Sequence, residues 1–199
     1  MEPFDYPPAS QERRHGPQGF SQPESFRPWL RDEFSFRCVY WLIREQWGRV
    51  TAEFDVEHFR PQTMNPELAA VYDNLLYACG RCNRAKGDRI VPDPCEALTA
   101  DQVRLLPDGS LEGRSPEARC LIAKLGLNSP QMNRWRLIWI RNVQLAREND
   151  EQQYSQLMRY PDDLPDLSRL RPPGGNTRPA GIVQSYFSRR GRGELPGTY

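Results

Sequence analysis

The chain has 199 residues, 38% of them hydrophobic and 27% charged, a length that suits one compact domain with extensions and excludes two full-sized domains. Its formal net charge is +1 at pH 7, so overall charge does not point to a polyanionic partner. The sequence shows no signal-peptide pattern and no apolar run near the roughly 20 residues of a membrane helix. We therefore expect a soluble, cytoplasmic protein without a membrane partner.

The first part of the chain predicts an arm followed by a core. Residues 1–28 are rich in proline and show no sustained period, which predicts a flexible N-terminal arm. Aromatic and branched residues become dense over 34–47, which indicates a core-forming element of ambiguous type. Residues 50–58 alternate apolar and polar side chains, and this pattern predicts a half-buried strand that runs into His58.

A loop, a knuckle and a short helix are expected next. The Arg60–Pro61 pair favours a loop that extends to Ala70, because the residue before proline avoids the helical region. Residues 75–78 lead into a tight turn over 79–82, and 83–88 then resemble a short helix closed by glycine. The order predicted for this region is strand, loop, knuckle and helix.

The second half of the chain predicts a hairpin, two helices and a tail. A turn between Val103 and Leu111 indicates the hairpin. Ser115 and Ser129 each precede a proline and an apolar stripe, which is typical of helix starts. The second helix is expected to run past Tyr154 and to place three large residues in the core: Met132, Trp135 and Trp139. From residue 161 the chain is rich in proline, glycine and arginine, which predicts an exposed basic tail.

The chemistry-bearing residues concentrate between 55 and 88. Hydrolysis of a phosphodiester needs a base to activate water and a cation to stabilise negative charge. The chain has two histidines, and since His15 lies in the expected arm, His58 is the candidate base. Its neighbour Glu57 offers a carboxylate of the kind that Mg²⁺ prefers, and Asn83 could add a neutral oxygen.

Three blocks in this region, residues 55–61, 73–76 and 79–88, together resemble an HNH endonuclease. The similarity covers residues 36–95 and implies a ββα-metal fold. It further implies that His58 is the general base and that Glu57 and Asn83 bind the catalytic ion. Asn74 would fix the loop between strand and helix and orient His58.

The cysteines depart from the family pattern. The chain has five cysteines, an odd number that suits reduced thiols better than disulfides. Many family members hold a structural zinc with two Cys-x-x-Cys pairs, and here the second pair, Cys79 and Cys82, is intact. The first pair would be Cys38 and position 41, which is Trp41. Either three thiolates hold Zn²⁺ with another ligand, such as the distant Cys95, or zinc is lost and Trp41 fills its place.

Basic residues near this site could contact nucleic acid. On a helix such residues often form only a solvated face, but beside a nuclease site they favour contact with phosphate rather than with bases. The candidates are Arg60, Arg81, Arg84, Lys86 and Arg89.

Taken together, the sequence predicts an α+β protein: a ββα-metal HNH nuclease module at 29–105, a helical extension at 106–160 and a tail at 161–199. The expected activity is hydrolysis of double-stranded DNA with Mg²⁺ or another divalent ion such as Mn²⁺. Two alternatives stay open: a non-catalytic nucleic-acid-binding zinc-knuckle module, and a nuclease directed at RNA. The sequence indicates no particular protein partner.

Overall fold

The computed structural model describes residues 3–48 and 53–199. Their architecture combines helices with small antiparallel sheets, which confirms the α+β class. The helices are α1 (Arg27–Glu33), α2 (Glu45–Gly48), α3 (Gly80–Lys86), α4 (Pro94–Ala97), α5 (Pro116–Lys124), α6 (Pro130–Asn149), α7 (Glu151–Met158), α8 (Ala180–Val183) and α9 (Tyr186–Gly191). The strands are β1 (Phe54–His58), β2 (Leu75–Cys79), β3 (Val103–Leu105) and β4 (Leu111–Gly113).

The expected strand, loop and helix are present around His58. Strands β1 and β2 pair antiparallel, with Phe54 opposite Cys79 and His58 opposite Leu75. Helix α3 follows β2 directly and packs against both strands. It begins at Gly80, so the 79–82 segment is the start of the helix rather than a separate knuckle. The first residues of the expected strand, 50–52, lie outside the described residues.

The segment 34–47 contributes buried side chains as expected, but it forms turns and the short α2 rather than one regular element. The Val39 N–H donates to the Tyr77 carbonyl oxygen at 3.0 Å. This bond attaches the turn that contains Cys38 to the neighbouring strand β2.

The hairpin and helix starts of the second half follow the sequence signals. Strands β3 and β4 form the expected hairpin. The hydroxyl of Ser115 accepts a hydrogen bond from the Ala118 N–H at 3.1 Å and so caps α5. The single long helix expected past Tyr154 is instead two helices, because Asp150 leaves the helical conformation and caps α7 through the Gln153 N–H at 2.9 Å.

The module boundary expected at residue 105 lies within one continuous core. It falls inside the β3–β4 hairpin, and one hydrophobic cluster extends from Phe4 to Leu167. Of the three residues expected inside α6, Met132 is buried and Trp139 stacks on Trp47, with ring centroids 4.3 Å apart. Trp135 differs from the prediction, since it is 37% exposed on the outer side of the helix.

The N-terminal segment is packed, which corrects the expected flexible arm. Phe4 and Tyr6 lie in the core, and the Tyr6 hydroxyl donates to the Tyr40 carbonyl oxygen at 3.1 Å. His15 is fully buried, and its Nε2 lies 2.8 Å from Asp32 Oδ1. The prolines suggested an irregular arm, and the aromatic residues between them supply the apolar area that attaches this segment to the core.

The segment 161–199 is also packed, in contrast to the expected tail. It contains α8 and α9 and buries Leu164 and Leu167. It pairs with the N-terminal segment through a bridge between Pro17 and Asn176. None of the helices in the described part of the chain has the length and apolar character that crossing a bilayer requires.

Candidate active site and thiol cluster

His58 lies at the end of β1 and is partly exposed. Its Nε2 is 3.0 Å from the carbonyl oxygen of Ala69. Because a carbonyl can only accept a hydrogen bond, Nε2 carries the proton of the neutral imidazole and Nδ1 keeps the lone pair. This arrangement leaves Nδ1 as the nitrogen that can take a proton from water.

Asn74 joins the two ends of the loop that follows β1. Its Oδ1 accepts from the Arg60 N–H at 2.8 Å, and its Nδ2 donates to the carbonyl oxygens of Arg60 and Leu68 at 3.2 Å each. The Ala69 carbonyl that orients His58 follows Leu68 directly. Asn74 is 6% exposed. Without its side chain, water could not easily reach these backbone groups to serve as their hydrogen-bond partner.

We expect Asn74→Ala to lower both thermal stability and any activity that depends on His58. Removing a buried side chain that satisfies three backbone groups costs about 1–3 kcal/mol. Thermal unfolding and hydrolysis rates check this expectation, with Asn65→Ala in the same loop as a matched control. An Asn74→Ala protein with unchanged melting temperature and unchanged rate would contradict the bridging role.

Glu57 is enclosed rather than open to a metal ion. It is 2% exposed, its Oε1 lies 2.6 Å from Lys86 Nζ, and its Oε2 accepts from the Tyr40 hydroxyl at 2.8 Å. Both carboxylate oxygens are therefore engaged inside the protein. The expected role of Glu57 as ligand of a catalytic Mg²⁺ does not fit this arrangement.

Asn83 contacts a different carboxylate. Its Nδ2 donates to Asp55 Oδ2 at 3.0 Å, whereas Glu57 contacts Lys86 and Tyr40. The two residues expected to bind one ion thus have different partners. Sequence reasoning did not select Asp55 as a site residue. The alternation of β1 was the available signal, since residues two apart on a strand share a face and Asp55 thus lies on the same side as Glu57.

The five basic residues expected to contact phosphate differ in exposure. Arg60, Arg84 and Arg89 are exposed. Arg81 is half-buried and donates to the carbonyl oxygens of Leu125 and Gly126, at 3.3 and 3.2 Å.

Lys86 is 1% exposed and belongs to the interior, which corrects its expected place on a nucleic-acid surface. The ion pair with Glu57 explains the difference, because a lysine is fully buried only when its charge is paired.

Three thiols lie close together, one from the 34–47 segment, one from the end of β2 and one from α3. The Sγ atoms of Cys38, Cys79 and Cys82 lie within 4.8 Å of one another, and all three residues are buried. This group could hold a metal ion. Cys95, the distant candidate for a fourth ligand, is not part of the group.

Trp41 lies beside these thiols. Its indole Nε1 donates to Cys79 Sγ at 3.1 Å, and an indole N–H is a donor without a lone pair for a metal. Hydrogen bonds from Cys38 and Cys82 lower the pKa of Cys79 to about 3, whereas burial raises the pKa of Cys38. The described residues thus supply three sulfur ligands and do not form the four-thiolate tetrahedron of a family-type zinc site.

Comparison with known proteins adds no assignment. No family model matches the chain, and no curated protein matches it. A proposal about function therefore depends on the residues and geometry described above.

Proposed function

We propose that this protein hydrolyses phosphodiester bonds in DNA, with His58 as the general base. The observation that carries the proposal is the hydrogen bond from His58 Nε2 to the Ala69 carbonyl, which leaves Nδ1 available as a proton acceptor on a partly exposed residue. The β1–β2–α3 arrangement and the loop fixed by Asn74 support it, because the resemblance to HNH endonucleases implies both features.

The chain's own residues suggest the following chemistry. Nδ1 of His58 removes a proton from water as the water oxygen bonds to phosphorus; the bond from phosphorus to the leaving oxygen breaks with its electron pair on that oxygen, which takes up a proton from solvent. Arg60 is exposed, while its backbone is held by Asn74, so its guanidinium can bind the phosphate next to the base. Mg²⁺ or Mn²⁺ is the cofactor that the resemblance implies, but Glu57 and Asn83 as they lie here do not fit as its ligands, and we assign no step to it.

For the thiol cluster we propose a structural metal site. Thiolates favour thiophilic ions, of which Zn²⁺ is one, and the three sulfurs join the turn at Cys38 to β2 and α3. Trp41 stands where the resemblance places a fourth thiolate. The cluster therefore bears on folding rather than on hydrolysis.

The proposed activity can be tested with purified full-length chain and supercoiled plasmid. The reactions contain Mg²⁺, Mn²⁺ or Zn²⁺, and matched reactions contain EDTA. We expect nicked and then linear plasmid. Cleavage that is lost in EDTA would show that a cation takes part, held by groups other than Glu57 and Asn83 as they lie here, and no cleavage under any of these conditions would overturn the proposed hydrolysis.

Parallel reactions with single-stranded and double-stranded RNA separate the alternatives. Cleavage of RNA alone would overturn DNA as the substrate. Binding without cleavage of any substrate would overturn the enzyme proposal and favour a nucleic-acid-binding module.

A further inference from the structure

The ammonium group of Lys86 lies among oxygen atoms. Its Nζ is 2.6 Å from Glu57 Oε1 and donates to the carbonyl oxygens of His58 at 2.6 Å and Gly87 at 3.4 Å. Lys86 and Glu57 are 1% and 2% exposed. Removing both charges from water is costly, and only contacts that satisfy both groups offset that cost.

The choice of lysine at this position fits a small site. The chain has 27 lysine and arginine residues, and Lys86 and Lys124 are its two lysines. A compact ammonium can enter three converging oxygens, whereas the planar guanidinium of arginine needs more room and more acceptors. Lys124, by contrast, is exposed, and its ammonium donates to the Ile90 carbonyl oxygen at 2.8 Å.

These contacts converge on the backbone of His58. The peptide group between His58 and Phe59 is held at both ends: its carbonyl oxygen accepts from Lys86, and its N–H donates to the Asn74 carbonyl oxygen at 2.9 Å. The imidazole is held separately, by the Ala69 carbonyl. Because backbone orientation limits which side-chain rotamers are allowed, fixing this peptide also limits where the imidazole can point.

We propose that Lys86 is a positioning residue for His58 and that Glu57 is the counter-ion of Lys86. The part of this inference that concerns hydrolysis rests on the proposed function; the part that concerns the orientation of His58 does not. Lys86 acts through the His58 carbonyl; Glu57 supplies the opposite charge, and the Tyr40 hydroxyl donates to the second oxygen of Glu57, so that the ion pair stays buried with its polar atoms satisfied.

The test uses a double variant, Glu57→Gln with Lys86→Met, which removes both charges and keeps similar side-chain volumes. Replacing a buried pair by neutral groups avoids the uncompensated charge that a single substitution would leave. Lys124→Met is the matched control. Thermal unfolding verifies that each variant is folded.

The first readout is nitrogen-15 NMR of the two histidine side chains, which distinguishes the tautomers of each imidazole. In the wild type we expect His58 to show the form protonated at Nε2. In the double variant we expect a mixture of tautomers at His58, no change at His15, and no change at either histidine in Lys124→Met. If the folded double variant keeps the wild-type His58 tautomer, the positioning role is wrong.

The second readout is hydrolysis. In the double variant we expect kcat to fall on the order of 10²-fold with little change in KM, as for a displaced catalytic group. The single variant Lys86→Arg keeps the charge but not the compact shape of the ammonium, and we expect it to hydrolyse more slowly than the wild type. A wild-type rate in Lys86→Arg would overturn the proposed need for a compact ammonium. If the wild type hydrolyses nothing, the NMR comparison still decides the positioning role while the proposed function fails.

Discussion

Replacement of His58 by alanine is expected to abolish plasmid cleavage while leaving the fold nearly intact. A positioned general base contributes about 10²–10⁴-fold to the rate, and His15 cannot replace His58 because it is fully buried against Asp32. The side chain of His58 is partly exposed, and within residues 3–48 and 53–199 the Ala69 carbonyl is its hydrogen-bond partner, so its removal should cost little stability. The measurement is the initial rate of conversion of supercoiled to nicked plasmid.

Gln62→Ala provides the matched control, since Gln62 is exposed on the same loop. It should cleave at the wild-type rate. Circular dichroism and DNA binding should be the same for both variants and for the wild type. A His58→Ala protein that nicks at a rate close to wild type would show that the base is another residue.

Trp41→Cys is expected to raise the affinity of the thiol cluster for Zn²⁺. The three sulfurs of Cys38, Cys79 and Cys82 leave a tetrahedral zinc one protein ligand short. The Trp41 side chain points toward the cluster, with its indole Nε1 3.1 Å from Cys79 Sγ, so position 41 faces the sulfurs that a fourth thiolate would join. Binding of structural zinc contributes on the order of 10 kcal/mol to the folding of small zinc modules.

Loss of the tryptophan opposes this gain. Trp41 is 5% exposed and stacks on Phe4, with ring centroids 6.2 Å apart, and truncating a buried tryptophan costs about 3–5 kcal/mol. We therefore expect Trp41→Cys to be less stable than the wild type without metal and more stable with Zn²⁺, and to lose the added stability when a chelator is present.

Trp41→Phe is the control, because it keeps an aromatic ring and adds no ligand. Metal content after dialysis and thermal unfolding with and without Zn²⁺ provide the two measurements. Tightly held, stoichiometric zinc in the wild type, with no higher zinc content or affinity in Trp41→Cys, would mean that another group already completes the site. Position 41 would then not be the place of the fourth ligand.

Local sequence signals were enough to predict several strands and helix starts, including the strand that carries the candidate base. The alternation before His58 predicted β1, and Ser115 followed by proline predicted the start of α5, because strand faces and helix caps depend on residues a few positions apart. The sequence also singled out Asn74, whose short amide can bond to the backbone of an adjoining loop.

Tertiary structure decided which of these polar groups meet. Glu57 and Lys86 are 29 positions apart, and their ion pair depends on how α3 packs across β1, which no local pattern specifies. The same packing pairs Asn83 with Asp55 rather than with Glu57. A carboxylate beside a candidate base resembles a metal ligand in sequence, and only burial against an ammonium distinguishes a counter-ion from a ligand.

Packing of the two ends of the chain was likewise a tertiary outcome. Proline-rich composition predicted flexible segments because proline disfavours helix interiors and central strands. It does not exclude an irregular segment whose aromatic side chains are buried by distant parts of the chain, as Phe4 and Tyr6 are. The apolar area that holds such a segment exists only after the core has formed, so its order depends on the fold rather than on local propensity.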